Sequence, residues 1–368
     1  MTALRAALLG LCMATAGVPA LAQIKIGQTT GVTGAVAATV KETSLGAQMY
    51  LDAVNAKGGV GGEKIELITL DDKFDTKLAA ANARELIEQR GVLALFMTRG
   101  TPHTEGIIPI LDQHGVPLLA PSTGAMVLHQ PLKKHVFNVR ATYQREAERA
   151  IAHLVATGVT RIGVVHVDDS FGADGLEGTQ KGLSAAKLSA VAVAKFDRSK
   201  PDFTQIAPAM AKLAPQAIMV IGSGTAVVDG IKALKAAGSG AQFVTLSNNA
   251  SGGFIKLLGD DARGVIVSQV LPQSQNYALV QEAATLAKAH DMLEVSPAML
   301  EGFASAKVLV EALRRAGPKP TREKLQAALE NLGKFDLGGL ILSFSPTDHT
   351  GLDFADLSII TASGKFRR

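Results

Sequence analysis

Residues 24–34, IKIGQTTGVTG, and residues 161–178, RIGVVHVDDSFGADGLEG, open two stretches of the chain in the same manner. Each is an apolar run that breaks at a polar or glycine-rich corner and passes into a helical pattern. After the first, a helix is expected from about Val40 to Asn55, stopped by Lys57-Gly58-Gly59. Strands follow at 64–71, 92–97 and 116–119, with helices at 76–90 and 102–113. The pattern restarts beyond Val136–Arg140, with helices at 145–157, 172–186, 203–213, 226–237 and 253–258. Strands at 161–167, 190–196, 217–222, 242–246 and 264–270 alternate with them. Alternation of this kind implies crossover units and parallel sheets covered on both faces by helices. Two such layers joined near residue 141 define an α/β protein of two Rossmann-like lobes. From Tyr277 to Leu332 the pattern is mainly helical, and two strands are expected at 339–344 and 354–361.

The composition fits this reading. In 368 residues, 47% are hydrophobic and 19% charged, which excludes a disordered chain. The excess of 37 Lys+Arg over 33 Asp+Glu is too small, and too dispersed, to argue for nucleic acid. Residues 1–22 read as a cleavable secretory signal: Arg5, the apolar run AALLGLCMATAGV, and Ala20-Leu21-Ala22 before Gln23. Cleavage there removes Cys12, the one cysteine, and leaves a chain expected to be periplasmic and to need no disulfide.

Enzyme signatures are missing. The sequence holds no G-x-S-x-G, H-E-x-x-H or G-x-x-x-x-G-K-[ST], and the loop after the first strand lacks G-x-G-x-x-G. His103, His114, His129 and His135 crowd one region without metal-motif spacing, and are expected to face solvent or to be hydrogen-bonded. No metal, cofactor or catalytic residue is therefore assigned. Binding is the better reading. Ligands of parallel α/β sheets meet strand carboxyl ends and helix N-termini, where free N–H groups and the helix dipole suit an anion. Hydroxyl-rich corners fall at three such places: Thr98 to His103, Ala120 to Gly124, and Ser247 to Asn249. Arg99 is placed to pair with a carboxylate, while Tyr143 and Phe171 offer an apolar wall. The candidate ligand-binding residues are Arg99, Thr101, Ser122, Thr123, Tyr143, Phe171 and Ser247.

Several segments resemble the periplasmic leucine/isoleucine/valine-binding protein family, the type I solute-binding proteins of ABC importers. They are IKIGQTTGVTG, GAQMYLDAVNAKGGVGGEKIELITLDD, GVPLLAPSTGA, RIGVVHVDDSFGADGLEG and DFTQIAPAMAKLAPQAIMVIGSG. The run AVNAKGGVGG from Ala53, with Asp71-Asp72 beyond it, is the most specific part. The resemblance implies two lobes joined by three hinge crossings that close on a ligand. Crossings are expected near Arg140–Thr142, Gln269–Gln275 and Lys334–Gly339. The first lobe is then 23–141 plus 272–335, and the second 142–271 plus 336–368. It also implies that Thr101, Ser122 and Thr123 hold a ligand carboxylate, that Phe171 lies at the cleft, and that the monomeric protein delivers its ligand to a membrane permease. One departure stands out: Leu246-Ser247-Asn248-Asn249 carries no carboxylate where amino-acid binders hold the ligand ammonium. The expected ligand is accordingly a small carboxylate-bearing molecule, whether amino acid, amide or organic acid. A periplasmic sensor and an extracytoplasmic hydrolase are the alternatives.

Overall fold

The computed structural model describes residues 23–289 and 294–368; the expected signal segment lies outside them. In the first lobe, β1 (Gln23–Thr30) leads to α1 (Ala37–Ala56), β2 (Lys64–Asp71) to α2 (Thr76–Arg84), and β3 (Ala94–Phe96) to α3 (Thr101–His114). The short strands β4 (Leu118–Leu119) and β5 (Val136–Phe137) complete a parallel sheet of order β2-β1-β3-β4-β5. The helix expected over 76–90 is α-helical only to Arg84 and continues as one widened π turn, Glu85–Gln89.

The second lobe starts with α4 (Tyr143–Ala156). It continues through β6 (Ile162–Val167), α5 (Ser170–Ala185), β7 (Ala192–Phe196), α6 (Ile206–Lys212) and β8 (Ala217–Ile221). Then come α7 (Thr225–Ala236), β9 (Gln242–Thr245), α8 (Gly252–Leu258) and β10 (Ile266–Gln269). β6 and β8 are buried at every residue, which explains their apolar sequences, interrupted only by His166 in β6: a parallel strand covered on both faces has no wet side to alternate with. The chain then adds α9 (Ala278–Ala289), α10 (Pro297–Ala316) and α11 (Arg322–Glu330) to the first lobe. Leu279, Leu300, Phe303, Leu309, Leu325 and Leu329 share one core there with Ile26, Met49 and Leu51. α10 packs closely against α1. At Gly302 a Cβ would stand 1.8 Å from the carbonyl oxygen of Thr43, so only glycine permits this approach.

Core membership locates the passages between lobes. Val139 packs in the first core and Tyr143 in the second; Val267 belongs to the second and Leu271 to the first. The third passage corrects the sequence reading. β11 (Gly333–Asp336) and β12 (Ile341–Phe344) pair as a separate antiparallel hairpin, and Leu337, Leu342, Phe344 and Leu352 join the first core. The return expected at Lys334–Gly339 lies instead between Leu352 and Asp356, so residues 336–352 go with the first lobe. The apolar pattern of that hairpin was compatible with either core, and only packing discriminates. β13 (Asp356–Ile360) then joins β10 antiparallel, with β14 (Phe366–Arg367) beside it. The second sheet has the order β14-β13-β10-β9-β8-β6-β7.

Candidate functional site

The loops following β3 and β4 run side by side because those strands are neighbours. Ser122 N–H donates to the carbonyl of Thr98 at 2.7 Å, and Arg99 and Ser122 form an isolated parallel bridge. This register sets Arg99 Nη1 3.2 Å from Ser122 Oγ, and sets the hydroxyls of Thr101 and Thr123 2.7 Å apart at the start of α3. From the opposite lobe, Asn248 presents its carbonyl oxygen to Arg99 Nη2 at 2.6 Å. Arg99 is 3% exposed. Burial presses its pKa below the ordinary guanidinium value, with Tyr143 and Glu301 pulling the other way.

Tyr143 opens α4, and Phe171 sits in the first turn of α5, whose N-cap is Asp169. Their rings lie 4.7 Å apart, both buried, as a wall on the second-lobe side. Ser247 Oγ accepts from Arg140 Nη2 at 2.6 Å. All seven predicted residues therefore lie at or beside the seam between the lobes.

Sequence reasoning missed three charged residues at that seam. Arg140, in the first passage, is ion-paired with Glu146 of α4 and lies 4.6 Å over the Tyr143 ring. Burial opposes the charge of Arg140, but Glu146, Tyr143 and Glu301 outweigh it and hold its pKa above the usual value. Glu146 also accepts from the Ser247 amide at 2.9 Å and from the Ser268 hydroxyl. Glu301 of α10 accepts from Ser122 Oγ at 3.0 Å. Its signal was present: a carboxylate on the apolar side of a helix whose neighbours are Leu300, Phe303 and Ala304, where a charge is costly unless used.

Of the histidines expected to face solvent or to be hydrogen-bonded, His129 and His135 are hydrogen-bonded, while His103 is buried and makes no hydrogen bond among the described residues. His103, His129 and His135 are buried, His103 stacked at 4.3 Å on Phe74, and the other two within hydrogen-bond distance of Thr350 and Gln326. Among the described residues, no three His, Cys, Asp or Glu side chains gather as a metal site would require. No helix among them is long and apolar enough to cross a membrane.

The lobes are shut on each other. Thr225 N–H donates to Ala35 O at 3.0 Å, Thr39 and Ser251 hydroxyls meet at 3.0 Å, and Glu42 accepts from the amides of Gly252 and Gly253 at 3.0 and 2.7 Å. Behind Arg99 and Ser122 remains a cavity of about 10 Å³, lined also by Gln28, Thr30, Thr43 and Met97. A hollow of about 700 Å³ lies elsewhere, against Gln269, Leu271, Tyr277 and Phe354. It is larger, but the convergence of helix starts and buried charges is at the seam.

Gly224 controls how far the lobes approach. It has φ 57° and ψ −129°, and a Cβ there would stand 1.8 Å from Ala35 O across the seam. Gly224→Ala should leave each lobe folded, at a local cost of about 1–3 kcal/mol, while holding the lobes apart. Small-angle scattering should show a more open particle than wild type; an unchanged profile would show that this contact does not limit closure.

This arrangement of two discontinuous α/β lobes, closing at strand ends, defines a binding protein of the periplasmic type. The sequence profile of the periplasmic binding protein family matches residues 23–357, and the chain belongs to that family, in its leucine/isoleucine/valine-binding-like branch. The chain is similar to the Leu/Ile/Val-binding protein of Escherichia coli K12, 23% identical over 72% of each chain. It is also similar to Leu/Ile/Val-binding protein homolog 8 of Brucella suis, 25% identical over 52% of this chain and 50% of that one. The matched part spans about half the length of the curated relatives of this second kind. Among solved structures, a substrate-binding periplasmic protein from Ralstonia solanacearum is 30% identical, with a TM-score of 0.85 over 94% of this chain and 99% of that one. A possible leucine/isoleucine/valine-binding protein from Rhodopirellula baltica is 27% identical, with a TM-score of 0.87 over 96% and 98%.

Proposed function

We propose that this protein is the capture component of an ABC importer. It is exported by a cleaved signal, works as a periplasmic monomer, binds a small carboxylate-bearing ligand between its lobes and delivers it to a membrane permease without altering it. The observation that carries this reading is the convergence of Arg99, Thr101, Ser122 and Thr123 on one side of the seam, opposite Ser247, Asn248, Tyr143 and Phe171. A guanidinium and hydroxyls beside a helix start suit a carboxylate, and the aromatic pair suits an apolar body. The ligand acts by differential contact: it touches both lobes only when they are closed, and so favours the closed form that the permease recognises.

The test is ligand-dependent closure. Across a panel of amino acids, amides and organic acids, one member at 100 times its Kd should stabilise the protein by about 2.7 kcal/mol. The same ligand should make the scattering profile more compact. Unchanged thermal midpoints and profiles across the whole panel would defeat the proposal.

A further inference from the structure

The hollow of about 700 Å³ lies beside the second passage, away from Arg99 and Ser122, neither of which lines it. Its walls come from both lobes: α9 and the start of α10 on one side, α8, β13 and β14 on the other. Leu271, Val280, Leu300, Phe354 and Leu357 give it an apolar surface. Its charged groups are largely occupied with one another. Lys365 pairs with Glu294, Arg368 pairs with Asp356, and Glu42 accepts from two backbone amides of α8. Lys288 and Arg367 lie exposed at the edge.

Gln269 ends β10 and lines this hollow. Successive residues of a strand face opposite ways. Ser268 turns to Glu146, so Gln269 turns away from that ion-paired cluster and toward the hollow. Gln269 is 2% exposed, and neither its Nε2 nor its Oε1 makes a hydrogen bond among the described residues. A buried amide left unmatched at both atoms is costly, and calls for a partner. One donor and one acceptor held side by side match the mirrored pair on another amide, with two N–H···O bonds running head to tail. A carboxylate matches poorly, because it offers no donor to Oε1, and an ammonium offers no acceptor to Nε2.

We infer that this hollow is a second binding site, distinct from the carboxylate corner at Arg99, for a neutral molecule with a carboxamide on an apolar body. Gln269 holds the carboxamide by a pair of hydrogen bonds, and Leu271, Val280 and Leu300 cover the body. Titration of the whole protein, followed by backbone-amide NMR shifts, tests this with benzamide and with acetophenone, which keeps the acceptor and lacks the donor. Benzamide should bind in the millimolar range or tighter, about 10-fold more tightly than acetophenone, and should shift Leu271, Val280 and Leu357. Gln269→Leu should fold as the wild type does, since its side chain gives up no hydrogen bond, and should lower benzamide to the affinity of acetophenone. Ala284→Phe, on the half-buried part of α9 that lines the hollow, should block both compounds with Gln269 still in place. Equal binding of the two compounds by the wild type, a preference that survives in Gln269→Leu, or undiminished binding in Ala284→Phe would overturn the inference. So would shifts confined to Arg99 and Ser122, or no binding of benzamide at all.

Discussion

Glu146→Ala is expected to cost about 3–5 kcal/mol of folding stability, the range for removing one partner of a buried ion pair. Glu146 is fully buried and Arg140 is 3% exposed, so the guanidinium would lose its close partner in a buried site and keep only Glu301 at 3.7 Å. The loss is compounded because the Ser247 amide and Ser268 hydroxyl surrender their acceptor as well. Those two groups lie just after β9 and within β10, so the damage should concentrate in the second lobe. Urea unfolding followed by circular dichroism measures it. Replacing both charges, Arg140→Leu with Glu146→Leu, should recover part of the loss, since removing a buried pair together avoids an unpaired charge while the Ser247 amide and Ser268 hydroxyl still lack their acceptor. A loss below about 1 kcal/mol in the single variant would place the pair among those that contribute little.

Arg99→Ala is expected to lower affinity for a carboxylate ligand by about 2–5 kcal/mol, at least ~30-fold in Kd, and to flatten the salt dependence of binding. The guanidinium is buried, and its hydrogen bonds go to Ser122 and, across the seam, to the Asn248 carbonyl. Removing it takes away both the ligand's cation and a bond that helps shut the lobes. Lysine should not restore function, because a point charge cannot reproduce the planar fork that reaches both partners. The neighbouring hydroxyls offer a contrast: alanine at Thr101, Ser122 or Thr123 should cost about 1 kcal/mol each, the value of one neutral hydrogen bond. Calorimetry on the four variants checks the ranking. Affinity within twofold of wild type for Arg99→Ala would reduce this residue to a seam contact.

The fold was legible where one element suffices to show its environment. The apolar strands β6 and β8 announce two-sided burial, and the glycine stop after α1 and the Ser296-Pro297 start of α10 mark real helix ends. Short β5 was legible only in outline, because its two residues take their strand character from β4 rather than from their own sequence. The stretch from Asp336 to Leu352, with β12, was assigned to the other lobe because Leu337, Leu342 and Phe344 state that a core exists without stating which. The positions of Arg99, Thr101, Ser122 and Thr123 were legible because they follow strand ends, and loops at strand ends converge by topology. Arg140, Glu146 and Glu301 were not, because they come from a passage and from two helices distant in sequence. Their meeting depends on packing, such as the approach of α10 to α1 at Gly302.

The way the chain shuttles between its halves has a consequence for its biosynthesis. The first hydrophobic core needs Leu342 and Leu352 as well as Ile26, and the second sheet gains β13 only after Leu352. The first half therefore does not exist as a contiguous fragment that could mature while the remainder is still being made, so the usual order of N-terminal units folding first is denied to it. The N-terminal half of this layout waits for residues near the end of the chain, whereas the parallel strands of the second half all lie between Ile162 and Gln269.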